Sequence, residues 1–246
     1  ARYSMMAARK FHAEGSWVEA ASMYLTAEKW LNVSIDGTAN REDLVAVWEG
    51  IWSCARIFSP DKALRALESL RLYYRKNSMN TQEAFVLVRM INLYSQKGMF
   101  AEALKMYEHA LDLVSGDSIL SSAARTAVAY TYTYLGKPET ALAFLDQARP
   151  ALKKDPFLLS VNHLTTLTAY VWKGSIRDAH TWYRKTKQSG GIYRDLDLMA
   201  DINLAYSCLL EGKFEMAKSL FDQVLRQERK LGNLAGGLSY LRIQSS

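Results

Sequence analysis

The stretch that decides the architecture is Gly98–Leu113, G-M-F-A-E-A-L-K-M-Y-E-H-A-L-D-L. After the glycine, Ala103, Tyr107 and Ala110 stand at i, i+4 and i+7, one stripe of a helix that opens just past Gly98. The pattern recurs along the chain. Gly15-Ser16-Trp17 leads to Ala20, Tyr24 and Ala27, and Gly136 to Ala141, Leu145 and Ala148. Gly174 leads to Ala179, Tyr183 and Thr186, and Gly212 to Phe214, Ala217, Phe221 and Val224. A weaker copy follows Ser59-Pro60 with Ala63, Leu67 and Leu70. The alanines at positions 20, 63, 103, 141, 179 and 217 are 43, 40, 38, 38 and 38 residues apart. A period of that size is the mark of a solenoid of stacked supersecondary units.

Each unit reads as an αα-hairpin whose first helix (A) ends at the glycine and whose second (B) begins after it. The spacing predicts A/B pairs near 1–14/16–31, 41–57/60–77, 80–97/100–114, 118–135/138–153, 156–173/176–188 and 194–211/214–231. Ser59-Pro60, Pro138 and Asp155-Pro156 are start signals, an N-cap or a proline at the first helical position. A glycine closing each A helix suits a left-handed cap. Asn32–Arg41 and the glycine-rich Gln188–Tyr193 are expected to be loops. Asn233–Gln244 reads as the A helix of a seventh unit without its B helix. The fold expected is an all-α, right-handed αα-hairpin solenoid of about six helix pairs plus one C-terminal helix. It forms one repeat domain over residues 1–246, cut from a longer chain.

Composition fits a globular protein: 49% hydrophobic and 23% charged, with 4 prolines placed where helices start or stop. No apolar run approaches the roughly 20 residues of a membrane span, so no membrane insertion is expected, and no signal peptide is read at the start. Cys54 and Cys208 are far apart in a linear array and are expected to be buried, reduced thiols, which suits a cytoplasmic location. The formal charge is +6. The basic clusters Arg71/Arg75/Lys76, Lys153/Lys154, Arg184/Lys185/Lys187 and Arg226/Arg229/Lys230 fall at the ends of B helices, where the helix dipole favours cations. A nucleic-acid stripe is the competing reading of the same clusters.

The motif G-x-[WF]-x-E-A-x-x-x-Y-x-x-A, with Tyr94, Tyr132 and Tyr170 four residues before their glycines, resembles the tetratricopeptide repeat (TPR) over nearly the whole chain. It departs in its 38-residue period and in lacking the usual Trp and Gly of helix A. The resemblance implies an interaction scaffold whose A helices line a concave groove. In order of motifs, Leu135–Leu142, Gly174–Ala179, Leu204–Leu225 and Asn233-Leu234-Ala235 with Tyr240-Leu241 are similar to the TPR tail of a TRAPP vesicle-tethering subunit. The TPR domains of bacterial transcriptional activators of the maltose-regulator type also use longer repeats.

Numbered by the repeat, the inward positions give a neutral-to-aromatic groove with Arg9, Trp48, Trp52, Phe85, Asn92, Tyr130, Tyr134, Trp172 and Tyr206 as the partner-binding candidates. Aromatics and arginine are the types that dominate interface energetics. For Trp48 and Trp52, packing between repeats is an equal alternative. The Lys and Asn pair that would grip a peptide carboxylate is absent, since Asn92 is accompanied by Val88, and Arg9 by Met5. The inner row Trp52, Asn92, Tyr130, Thr168 and Tyr206 carries no base-reading code, so RNA binding is the lesser alternative. Protein or peptide is the expected partner, with self-association through the terminal helix as a further possibility.

No catalytic constellation is found. Gly116-Asp117-Ser118-Ile119-Leu120 looks like a GDSL-type nucleophile block, but it lacks the preceding strand and the late Asp-x-x-His pair, so Asp117 or Ser118 is read as an N-cap. His12, His109, His163 and His180 have no metal-ligand spacing. No phosphate-cradling loop is present. The expectation is a non-enzyme without cofactor or metal.

Overall fold

The computed structural model describes residues 1–33, 41–56, 58–114, 116–190 and 193–230. Among these, twelve helices follow one another: α1 Arg2–Ala13, α2 Trp17–Val33, α3 Arg41–Ala55, α4 Pro60–Lys76, α5 Asn80–Gln96, α6 Phe100–Leu113, α7 Ser118–Tyr134, α8 Pro138–Leu152, α9 Pro156–Lys173, α10 Ile176–Gly190, α11 Arg194–Leu210 and α12 Phe214–Lys230. They make six hairpins of an all-α helical-repeat solenoid, at the boundaries the periodicity predicts to within about two residues.

Local chemistry explains the boundaries. Asp155 and Asp117 cap their helices: Asp155 Oδ1 accepts from the Leu158 N–H at 3.0 Å, and Asp117 Oδ1 from the N–H groups of Ile119 and Leu120, both at 2.9 Å. The apparent nucleophile block is therefore a helix cap. Prolines 60, 138 and 156 each open a helix, where the missing N–H costs nothing. At the other end Gly174 closes α9 with φ 75° and ψ 12°, the left-handed cap that a Cβ would strain. Gly15, Gly98, Gly136 and Gly212 repeat that conformation at the equivalent turns, with φ between 70° and 79°.

Four local expectations are corrected. The glycine-rich stretch from Gln188 is not all loop, because α10 runs on to Gly190. Likewise Asn32 lies in the last turn of α2 and Arg41 opens α3; residues 34–40 fall outside the described residues, as does the expected helix 233–244. Ser59 holds the N-cap position of α4 but its hydroxyl makes no capping bond; its carbonyl serves the Lys62 and Ala63 N–H groups instead. Pro150 sits inside α8, in its last turn, and Lys153 and Lys154 lie just past that helix rather than within it.

The described chain divides into two compact units, one of Ala1–Val86 together with the described residues from Leu225, and one of Leu87–Val224. In the first, Tyr24 of α2 lies against the backbone of α3 at Gly50, where a Cβ would come within 2.5 Å of the ring. Trp48 donates its indole N–H to Glu28 Oε1 at 2.9 Å, and Arg65 reaches the same carboxylate at 3.2 Å, tying α3 and α4 to α2. Cys54 is buried and unpaired, and burial pushes its thiol up to about 11, against the pull of Arg56. A thiol held neutral in this way is an inert packing group.

In the second unit the repeat alanines Ala103, Ala141 and Ala179 are fully buried, letting each B helix approach its neighbours closely. Around them pack Ile91 and Tyr107, then Leu145 and Phe144, then Leu167, Trp182 and Tyr183. A second layer of order is polar. Asn162, wholly buried on α9, donates to Thr126 Oγ1 of α7 at 3.2 Å and to the Leu145 carbonyl of α8 at 3.1 Å. It accepts from Arg149 Nε at 3.1 Å. Arg149 also donates to Asp146 at 2.6 Å and to Thr166 at 3.2 Å, and its guanidinium stacks 4.4 Å over the Trp182 ring of α10. One arginine–asparagine pair thus joins four successive helices, and every polar atom named has a partner, the condition under which a buried network stabilises.

Candidate functional site

The candidate surface in the second unit is built from A helices. α7 packs on α9, and α9 on α11. Tyr134, Trp172 and Leu210 each stand two residues before the turn glycine of their repeat, so the 38-residue period brings them to one row. Tyr130 and Tyr206 take the position one helical turn earlier.

The structure assembles four of the candidate residues. The Tyr130 and Tyr134 rings lie 4.7 Å apart at 57°, and the Tyr130 hydroxyl donates to Tyr134 Oη at 2.9 Å. The Tyr134 ring meets Trp172 at 5.2 Å and 49°. Tyr206 packs edge-on against Phe221 at 5.4 Å, and burial, with the Tyr134 hydroxyl as second cause, holds its own hydroxyl above the usual tyrosine range. Tilted aromatic contacts of this kind favour one another beyond their buried area. Trp172 is nevertheless 49% exposed, and the next residue of the row, Leu210, 61%. Asn92, on α5 of the same unit, is half-buried.

The remaining candidates lie in the first unit. Arg9 is exposed on α1, and Phe85 is 40% exposed on α5. Trp52 is half-buried on α3, with the Arg56 guanidinium 5.9 Å from its ring. Trp48 is half-buried, held by Glu28, and lines a cavity of about 400 Å³ with Arg41, Leu44, Leu72, Tyr73 and Lys76 between α3 and α4. Its neighbours therefore include the B helix of its own hairpin.

Two further features escaped the reading of the sequence. The Arg149–Asn162 network is one. The other joins α10 to α11: Tyr183 Oη donates to Asp201 Oδ1 at 2.9 Å, while Lys187 Nζ lies 3.3 Å from Asp201 and 3.6 Å from Asp197. Burial, and then the bond to Asp201, raise the Tyr183 hydroxyl far above its ordinary range. Beside Trp182, whose ring is also covered by Lys185 at 4.0 Å, His163 is held down to about 4 by burial and by Arg149 and Lys185, so it is neutral near pH 7. These groups are spent on packing. Among the described residues no cluster of His, Cys, Asp and Glu could hold a metal ion, and no helix is long and apolar enough to cross a membrane.

A family model described as tetratricopeptide repeat matches residues 82–154, the span from α5 to just past α8. That stretch of the chain carries tetratricopeptide repeats. The whole chain is similar in fold to a solved Rap protein complexed with competence and sporulation factor, with a TM-score of 0.70 and 15% identity over 99% of this chain and 73% of that one. It is also similar to a Podosopora anserina protein described as a kinesin light chain with nearly identical TPR-like repeats, with a TM-score of 0.50 and 15% identity over 77% of this chain and 94% of that one. No curated protein matches the sequence significantly. The TPR fold is generally a non-catalytic protein-interaction scaffold, and that coarse role is what the fold supports here.

Proposed function

We propose that this chain is a non-catalytic scaffold that captures a segment of a partner protein on the aromatic face of α7, α9 and α11. The observation that carries the reading is the half-exposed Trp172 seated on Tyr134, with Tyr130 and Tyr206 beside them. A rigid aromatic cluster loses little side-chain entropy when a partner covers it, and its wet indole face is the area still to be buried. That a Rap protein of similar fold is solved with a bound factor supports capture as a use of such a face.

Asn92 extends the surface on α5, while Arg9, Trp48, Trp52 and Phe85 offer further contacts in the first unit. The chain works in the cytoplasm, in keeping with its buried free thiols, as one part of a larger assembly. For that assembly the order of the repeat motifs favours the vesicle-tethering kind.

Pull-down of partners by the wild type, by Trp172→Ala and by Tyr134→Ala, with Arg184→Ala on the exposed side of α10 as control, tests the site. Loss with the first two and retention with the control is the expected result. Unchanged recovery from both aromatic variants would move the site elsewhere.

A further inference from the structure

The second hairpin holds a cleft whose side chains depart from the repeat. α3 and α4 run antiparallel, so Arg41, the first residue of α3, and Lys76, the last of α4, stand at the same end of the pair. Both line the cavity of about 400 Å³, whose walls are Leu44, Trp48, Leu72 and Tyr73. That volume lies in the range of small-molecule sites, and a mostly apolar wall with a few charged groups is their usual make-up. Leu72 is 57% exposed there. Counted from the repeat alanine, its counterparts are Lys29, Asp112, Pro150, Gln188 and Arg226, none of them an aliphatic hydrophobe. Trp48 likewise stands where the other repeats carry Met5, Val88, Thr126, Leu164 and Ile202.

Three polar groups of the cleft are already committed. The Trp48 indole N–H is held by Glu28, the Ser69 hydroxyl by the Arg65 carbonyl at 3.2 Å, and the Asn77 amide by the Tyr73 carbonyl at 2.7 Å. Arg41 and Lys76 have no ion-pair partner among the described residues, and no carboxylate is among the lining residues. The charge that the cleft lacks is therefore negative. Arginine offers a planar fork that matches a carboxylate in bidentate fashion, and lysine adds a point charge. A phosphate monoester would bring a second negative charge to a helix end that already carries Glu42 and Asp43 beside Arg41. A carboxylate brings one, and an apolar body attached to it covers the surface of Trp48, Leu72 and Tyr73.

We propose that the cleft between α3 and α4 binds a small organic carboxylate with an aromatic or aliphatic body. The carboxylate lies between Arg41 and Lys76, and the body rests on Trp48, Leu72 and Tyr73. This site is independent of partner capture on α7, α9 and α11.

Saturation-transfer NMR and calorimetric titration of the full chain test it, with 4-phenylbutyrate, 4-phenylbutanamide and 4-phenylbutylamine, which share one body and differ in charge. The carboxylate should bind with a dissociation constant of about 1 mM or tighter, the scale for a ligand of about a dozen heavy atoms. The amide and the amine should bind about fivefold more weakly or worse, and Arg41→Gln combined with Lys76→Gln should weaken the carboxylate by a similar factor, since two exposed ion pairs are lost. Leu72→Ser should weaken all three probes, and Lys105→Gln, an exposed charge on α6, none of them. All four substituted positions face solvent, so each variant keeps the wild-type helix signal by circular dichroism. Equal binding of the three probes would overturn the proposal, as would carboxylate binding that survives the Arg41 and Lys76 substitutions, or none by about 10 mM. A peptide ending in phenylalanine that binds about tenfold more tightly than 4-phenylbutyrate, and only with its C-terminus free, would overturn it too, by assigning the cleft to a chain end.

Discussion

The ring of Tyr134 rests 5.2 Å from that of Trp172, one from α7 and one from α9, and the contact leaves half of the indole in solvent. The two occupy the same place in successive repeats, so the pair is a direct product of the period. Removing Trp172 should therefore cost binding more than folding. Trp172→Ala is expected to lower the thermal midpoint by no more than a few degrees while weakening partner affinity by about tenfold or more, measured by calorimetry and fluorescence polarisation.

Tyr24 and Gly50 form the opposite kind of pair, one that allows no change. A Cβ at residue 50 would stand 2.5 Å from three atoms of the Tyr24 ring, and α3 would have to move. Gly50→Ala is expected to destabilise by about 1–3 kcal/mol despite the better helix propensity of alanine. Urea unfolding of the variant beside the wild type measures it; a midpoint equal to or above the wild type would show that Tyr24 is not held there.

Asn162 offers a test of the buried polar network. Asn162→Leu keeps the volume but strands the Arg149 Nε that bonds its side chain, and it removes the donor to Thr126. The expected cost is about 2–4 kcal/mol, the range for leaving a buried charged group short of a partner. Chemical unfolding should report it, with partner affinity unchanged if the network only supports the aromatic face.

The His163 imidazole sets a pH dependence. Its pKa falls from the ordinary 6.5 to about 4 in the fold, chiefly through burial and next through Arg149 and Lys185. The unfolded chain therefore binds the proton more readily. The contribution to stability is complete above about pH 6.5 and is lost as the pH falls towards 4. His163→Gln should flatten the thermal midpoint across that window relative to the wild type. An unchanged slope would assign the acid sensitivity to other groups.

The aromatic character of the face on α7, α9 and α11 also predicts how salt acts. Affinity for a peptide partner should change little between 50 and 500 mM salt, since no counterions are released when it docks. A steep loss measured by polarisation would point to the basic B-helix ends and the nucleic-acid alternative.

The helices were legible in the sequence because their ends carry unambiguous chemistry. Gly174 can close α9 and Asp155 can open it whatever lies around them, and the alanine period needs no partner to be seen. The row of Tyr134 and Trp172 was legible for the same reason. The fate of each candidate aromatic was not. Trp48 and Trp172 are both A-helix tryptophans, yet Glu28 of a neighbouring helix engages the first while the second stays half in water. The Arg149–Asn162 clamp was hidden as well, because Arg149 reads as an ordinary charge near the end of α8 until α7, α9 and α10 are in place around it.

The central claim, that a partner segment lies on the aromatic face, is tested most directly by a photo-cross-linking residue at position 210, in the row of Trp172, against the same residue at position 184 on the exposed side of α10. The account predicts a partner adduct from position 210, abolished by Trp172→Ala, and none from 184. An adduct from 184 alone, or one from 210 that survives Trp172→Ala, would contradict it.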